Sequence, residues 1–289
     1  MAPGTCGELV QGMLDGQHFH VTCPIDLYAT VSVDLYSGTG IVCPRDCPKT
    51  VQAVHIALEK LGAKDTRAIV KVSDPLPRGK GMASSTADVA AAIAATGIAW
   101  GKPFSASEIA ALALKVEPSD GLMFPGIVAF DHRSGSFCES LGDAPMLRIL
   151  VLDFGGSVDT QVFNSHDLSA SLRQRESAWR QSFELLREGL HTGDLRLIGQ
   201  GATIGSLAYA EVVARPHLPD LLNLAEQTGA LGVNTAHSGT VMGLLFSPKS
   251  DLRGAARQAR ALFPQLEAIY IQTLVGGGAR EVARQDAVG

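Results

Sequence analysis

Residues 75–88 read PLPRGKGMASSTAD: a glycine-bearing turn, three hydroxyl side chains and then a run of alanines. That order of residue types suits an anion. A helix start presents backbone N–H groups without intrahelical partners and the positive end of the helix dipole, and glycine lets the main chain approach phosphate oxygens closely. Gly79, Lys80, Gly81, Met82, Ala83, Ser84, Ser85 and Thr86 are therefore the candidate phosphate cradle, whose hydroxyls can donate to phosphate or ligate a hard cation. A second reading stays open, because Ser85 and Asp88 also fit an S-x-x-D capping pattern that does no more than start a helix. The stretch is not a Walker A loop, since no glycine lies five positions before Gly79-Lys80 and no Ser or Thr follows the lysine. Nor is it a G-x-G-x-x-G fingerprint, because Ser84 holds the place of the last glycine.

The elements around this loop follow from periodicity and breakers. Alternation and β-branched content predict strands at His18–Cys23, Tyr28–Leu35 and Ala68–Ser73, with a turn-rich stretch Gly38–Pro48 and a helix Thr50–Leu61 between the last two. Proline and glycine from Asp74 to Gly81 end the third strand; an alanine-rich helix starts near Ser84 and another fits Ala106–Val116. Extended chain is predicted at Ile127–Asp131 and Leu147–Phe154. Helices follow at Ser169–Thr192, Asp194–Tyr209 and Leu218–Thr228, then a strand Val241–Ser247, a helix Asp251–Phe263 and a strand Ala268–Leu274. Gly276-Gly277-Gly278 reads as a flexible turn and tail. Strands and helices alternate without a strict βαβ rhythm, so the fold class is α+β. The turn-like Gly142-Asp143-Ala144-Pro145 divides the chain into residues 1–145 and 146–289.

With 289 residues, 46% hydrophobic and 18% charged, the chain can build sizeable cores and is not of the disordered class. A formal net charge of -5 lacks the basic footprint of a nucleic-acid binder. Cys6, Cys23, Cys43, Cys47 and Cys138 are odd in number and form no CxxC pair, which fits a reducing cytoplasmic setting. Cys43 and Cys47 with His55 make an incomplete ligand set, for want of a second cysteine pair. MAPGTCGELVQG has no basic region leading into an apolar one, and no apolar run reaches membrane-spanning length. The expectation is a cytoplasmic protein with small-molecule partners and neither nucleic acid nor membrane among them.

The segment Gly81-Met82-Ala83-Ser84-Ser85-Thr86 resembles the GHMP-kinase phosphate loop, G-L-G-S-S-A, with Ala83 in place of the second glycine. Further segments, in matching order, are similar to the cobalamin-pathway L-threonine kinases of that superfamily: PGTCGELVQG (3–12), CPIDLYATVSV (23–33), GKGMASSTAD (79–88), EPSDGLMF (117–124), AFDH (129–132) and GVNTAHSGTVMGL (232–244). The resemblance implies an N-terminal ATP-binding domain like domain 2 of ribosomal protein S5 and a ferredoxin-like C-terminal domain. It also implies ATP with magnesium and the hydroxyl of L-threonine as phosphoryl acceptor. Homoserine or another small amino alcohol is the alternative acceptor, and a non-catalytic nucleotide sensor the alternative of a different class.

The resemblance also distributes roles. Ser85 and Glu117 are the expected magnesium ligands, a hydroxyl and a carboxylate that suit a hard cation, against the plain reading of Glu117 as a solvent-facing residue at a helix end before Pro118. Asp120 is the expected group that accepts or polarises the acceptor's proton, against the plain reading of Asp120-Gly121 as a turn. Asp26 resembles the aspartate that meets the substrate ammonium in homoserine kinases, with Tyr28 beside it, although it also reads as a turn residue at a strand edge. His237, Ser238 and Gly239 are expected on the substrate side, and a structural histidine is the other reading of His237. Thr5 stands where many relatives carry lysine, which leaves Lys80 as the candidate charge near the phosphates or as an ordinary loop lysine.

Overall fold

The computed structural model describes residues 1–43, 46–73, 76–158, 163 and 167–282. Pro44 and Arg45 of the turn-rich stretch, Asp74 and Pro75 of the loop that ends the third predicted strand, and the end of the chain from residue 283 lie outside that set.

The first half is organised by a long hairpin, β1 (Ala2–Leu14) and β2 (Gln17–Ser37). Asp15 and Gly16 both take positive φ, 49° and 79°, which is the backbone a two-residue type I′ turn requires. β1 was not anticipated from the sequence. It is buried along nearly its whole length because both faces are covered, so period-2 alternation is absent from it. β2 continues past the hairpin to pair with β4 (Thr66–Ser73), which alternates as expected, while β3 is the short pair Ile41–Val42. α1 (Pro48–Leu61) and α2 (Ser84–Ala99) cover this sheet, and α3 (Ala106–Ala113), closed by a Ser105–Glu108 capping box, packs in the same core. The alanines of α2 are buried nearly all round, so small side chains let the helix lie close to the strands.

Two short strands follow, β5 (Ile127–Phe130) and the unanticipated β6 (Cys138–Gly142). The second half begins with β7 (Arg148–Asp153). It continues through helices α4 (Ser169–Arg173), α5 (Glu176–Thr192), α6 (Leu195–Ala210) and α7 (Leu218–Thr228). It ends with β8 (Gly232–Thr235), β9 (Val241–Phe246), α8 (Leu252–Leu262) and β10 (Ala268–Thr273). The strands run antiparallel in the order β10-β7-β9-β8, the split β-α-β-β-α-β course of a ferredoxin-like unit. β8 then meets β1 at Glu8 and Thr235, so one sheet runs through both halves. The class is α+β, as the sequence implied.

Two expectations need correction. The single helix expected at Ser169–Thr192 is broken at Gln174-Arg175, and the Trp179 indole ties the two pieces by donating to the Leu172 carbonyl at 2.9 Å. The glycines 276–278 are not a loose tail: Gly277 N–H donates to Gly126 O and Gly278 N–H to Leu122 O, both at 2.8 Å. All five cysteines are free, and among the described residues no ligand-spaced cluster includes Cys43, Cys47 or His55. No helix among the described residues is long and apolar enough to cross a membrane.

Trp179 also joins the halves: it is fully buried beneath β1, where a Cβ on Gly12 would lie 2.5 Å from its ring. Trp179→Ala is expected to cost about 3–5 kcal/mol of unfolding free energy, read from denaturant unfolding. A cost below about 1 kcal/mol would show that this contact does not hold α5 to β1.

Candidate active site

The loop ahead of α2 is held by main-chain bonds to both halves. Thr5 and Gly7 of β1 donate to the carbonyls of Met82 and Gly81, each at 3.1 Å, while Thr240 and Val241 donate to the Lys80 carbonyl at 2.9 and 3.0 Å. Gly239 makes this docking possible. Its φ is +136°, and a Cβ there would fall 2.3 Å from the Gly81 nitrogen. Ala83, in the place of the family's second glycine, keeps a left-handed backbone at φ 51° immediately before α2. No side chain caps the helix: Ser85 lies inside the first turn, and its hydroxyl donates to Glu117 instead. The capping reading of Ser85 and Asp88 is thereby overturned, and the first-turn N–H groups are left for a ligand.

A cavity of about 610 Å³ opens at this helix start. Gly79, Gly81, Met82, Ala83, Ser84, Ser85 and Thr86 line one end, with the start of α1 (Pro48, Lys49, Thr50, Gln52) and Arg78 around them. There the Glu117 carboxylate takes the Ser85 hydroxyl on one oxygen and the Lys49 ammonium on the other. A hydroxyl and a carboxylate meeting beside a helix N-terminus are oxygen donors fit for magnesium, and the Lys49 charge shows that this carboxylate is balanced by a cation. Glu117 and Asp120 are held in place together, because Ser119 N–H donates to the His132 carbonyl at 2.9 Å and its hydroxyl to Glu117 O at 3.0 Å.

Ladder register builds the other end. Glu8 pairs with Thr22 across β1–β2 and with Thr235 across β1–β8, so His20 and His237, each two residues further along, fall near it. His20 pairs with Phe130 across β2–β5, and His132, two residues beyond, stacks on its ring with centroids 3.7 Å apart and planes at 11°. The turn that carries His132 is tied by Asp131. Burial opposes ionisation of its carboxyl, but hydrogen bonds from Ser134 and Ser136 and from the Arg133 and Ser134 amides prevail and hold it down at about 2.

Asp120 begins the short 3₁₀ turn Gly121–Met123 without spending its carboxylate on a cap, and its Oδ1 lies 3.3 Å from His20 Nδ1. Burial pushes its carboxyl up to about 6. Glu8, 6% exposed, is raised well above the carboxylate range by burial and then by the Asp120 charge, although it accepts from His237 N–H at 2.5 Å and feels Arg215. Burial drives His20 down to about 3 and lowers His132 and His237 well below 6.5, so these imidazoles are neutral near pH 7.

The structure thus brings Asp120, Glu117, His237, Ser238 and the loop residues together, except that Lys80 turns away. Its ammonium pairs with Asp153 at 3.0 Å and Glu267 at 2.6 Å, so it is committed to these acids and does not line the cavity. Gly239 shapes the loop from behind rather than lining the cavity. Asp26 and Tyr28 are not at the cavity: Asp26 accepts from Thr273 N–H at 2.8 Å, and Tyr28 meets the Arg280 guanidinium. Lys49, His20 and His132 were missed. A lone lysine or histidine in a strand or helix carries no local signal, and only the AFDH segment hinted at His132.

Residues 49–124 match the GHMP kinases N terminal domain and residues 186–265 the GHMP kinases C terminal family. The L-threonine kinase of Salmonella typhimurium is 31% identical over 248 residues, covering 86% of this chain and 82% of that protein. The L-threonine kinase of Citrobacter freundii is 30% identical, covering 84% of each. The fold is shared with Lactococcus lactis galactokinase complexed with galactose, at a TM-score of 0.72 and 10% identity over 97% of this chain and 94% of that one. The chain belongs to the GHMP kinases, ATP-dependent phosphotransferases that act on small molecules.

Gly239→Ala is expected to push the Lys80–Gly81 peptide away and weaken binding of a non-hydrolysable ATP analogue at least about tenfold by calorimetry, since overpacking costs about 1–3 kcal/mol. Unchanged affinity in the folded variant would show that the loop's seat does not set the nucleotide site.

Proposed function

We propose that this chain transfers the γ-phosphoryl group of ATP to the hydroxyl of L-threonine, giving O-phospho-L-threonine for the aminopropanol linker of cobalamin. The observation that carries the choice of acceptor is the charge at the inner end of the cavity. Glu8 and Asp120 face it among neutral imidazoles, whereas the lysine and arginine that line the cavity, Lys49 and Arg78, stand at the loop end. Buried carboxylates that only one guanidinium, Arg215 near Glu8, partly offsets are costly, and an acceptor that carries an ammonium group relieves that cost. The two L-threonine kinases named above support the same acceptor.

The residues divide the work. First-turn amides and hydroxyls of α2 would cradle the polyphosphate, and Ser85 with Glu117 would hold Mg²⁺, which neutralises phosphate charge when bound. Lys49 then stands where its ammonium can turn from Glu117 to a phosphate oxygen. Asp120 accepts the proton of the attacking hydroxyl, and His20 holds the carboxylate in orientation from 3.3 Å. Residues 1–145 and 146–289 remain the proposed division into an ATP-binding and a C-terminal domain.

ADP release measured with threonine, serine, homoserine and ethanolamine is expected to favour threonine. A preference for homoserine would replace the acceptor, and ATP binding with no product from any alcohol would favour a sensor.

A base held near 6 must be ionised to act, so kcat/KM is expected to fall as pH drops through about 6. Asp120→Asn should lower kcat by about 10²–10⁴-fold and remove that limb from the pH profile. The same group fixes a sign for stability. A carboxyl raised in the folded state opposes folding only when ionised, so its penalty is absent below the ordinary aspartate value, grows towards pH 6 and is full above it. Asp120→Asn is therefore expected to be more stable than the parent at pH 8, by up to about 3 kcal/mol, and no more stable at pH 4. An inactive variant that is destabilised at both pH values would point to a structural role for Asp120.

A further inference from the structure

The inner end of the cavity holds more nitrogen donors than phosphoryl transfer uses. His20, His132 and His237 each offer a ring nitrogen, and these atoms all lie within 4.8 Å of one another; Glu8, His20 and Asp120 form an overlapping set with the same spacing. The His237 ring centroid lies 4.6 Å from that of His20 and 5.4 Å from that of His132. Independent of this convergence, His132 is 4% exposed, lines the cavity, and has no hydrogen-bond partner on either ring nitrogen. A neutral imidazole carries one donor and one acceptor nitrogen, and burying both unmatched is unfavourable unless a ligand meets one of them.

We infer that His20, His132 and His237, with Glu8 or Asp120 as the fourth ligand, form a binding site for a divalent transition metal of the zinc type. The donor chemistry separates this site from the Ser85–Glu117 pair. Imidazole nitrogen with one carboxylate oxygen suits Zn²⁺, Co²⁺ or Ni²⁺, whereas Mg²⁺ takes oxygen ligands almost entirely. Imidazole must be neutral to ligate, and burial keeps all three rings so. The ion's charge would also offset the two carboxylates packed against the cluster. A tetrahedral ion with metal–nitrogen distances of about 2.0–2.1 Å needs ligand atoms about 3.4 Å apart, so the donors close on it by roughly an ångström and the stacked His20 and His132 rings tilt towards each other. Such an ion fills the place proposed for the acceptor and draws His20 away from Asp120. It is therefore an inhibitor that competes with the acceptor alcohol and leaves room for the nucleotide. The inhibition rests on the proposed kinase reading; the binding does not.

The test is a titration of the full chain with Co²⁺ alone, followed by visible absorption, and with Zn²⁺ alone, followed by calorimetry. The expected result is one equivalent bound with the intense absorption of tetrahedral cobalt. His132→Gln and His237→Gln, each checked for folding by circular dichroism, should each weaken binding at least tenfold and abolish the band, while Glu117→Gln should retain it. No tetrahedral band, or binding unchanged in whichever histidine variants fold, would overturn the site and assign any residual affinity to surface histidines such as His55. A protein that binds cobalt in this way yet phosphorylates no alcohol would keep this inference and defeat the functional one.

Discussion

The seating of one short loop governs the rest of the molecule. Between Gly79 and Met82 the chain has its carbonyls taken by amides from β1, from the start of β9 and from Val158, so main-chain hydrogen bonds help fix where α2 begins. These donors come from both halves of the chain, so the loop end of the cavity is built by both of them. The sequence meets this demand with small residues: Gly7, Gly81, Ala236 and Gly239 crowd one another at distances where a further Cβ has no room. Lys80 contributes to the same end from the other side, its ammonium spent on Asp153 and Glu267 as a fastening rather than on a ligand.

Electrostatics then divides the cavity. Glu117 is satisfied by Ser85 and Lys49, a balanced arrangement that a magnesium ion can enter by displacing the ammonium. A few residues on, Asp120 and Glu8 lack such a lysine partner and are surrounded by rings that burial keeps neutral. The unequal treatment of two acids three residues apart is the physical basis for the proposal that one holds the metal and the other takes the proton. It also makes the inner end a place that favours a cation, whether an ammonium group or a metal ion.

Part of this was legible before the structure. The hydroxyl-rich helix start could be read from its own residues and the α+β class from the order of elements, whereas Glu117, Asp120 and the His237–Gly239 turn stood out through their resemblance to family segments. Long-range facts were not legible. β1 hid because burial on both faces removes alternation, although Asp15-Gly16 is a hairpin signal that would have revealed it. His20 and His132 meet only through ladder register, and Lys49 reaches Glu117 across the cavity. Asp26 and Tyr28 looked plausible by resemblance, but their partners, Thr273 and Arg280, come from the far end of the chain.

The measurement that bears most directly on the account is a crystal structure of the chain with magnesium, a non-hydrolysable ATP analogue and threonine. The expected density places the polyphosphate against the amides of Ser84–Thr86, the ion between Ser85 and Glu117, and the threonine hydroxyl within hydrogen-bond reach of Asp120. A polyphosphate bound away from the start of α2, or an acceptor hydroxyl remote from Asp120, would contradict it.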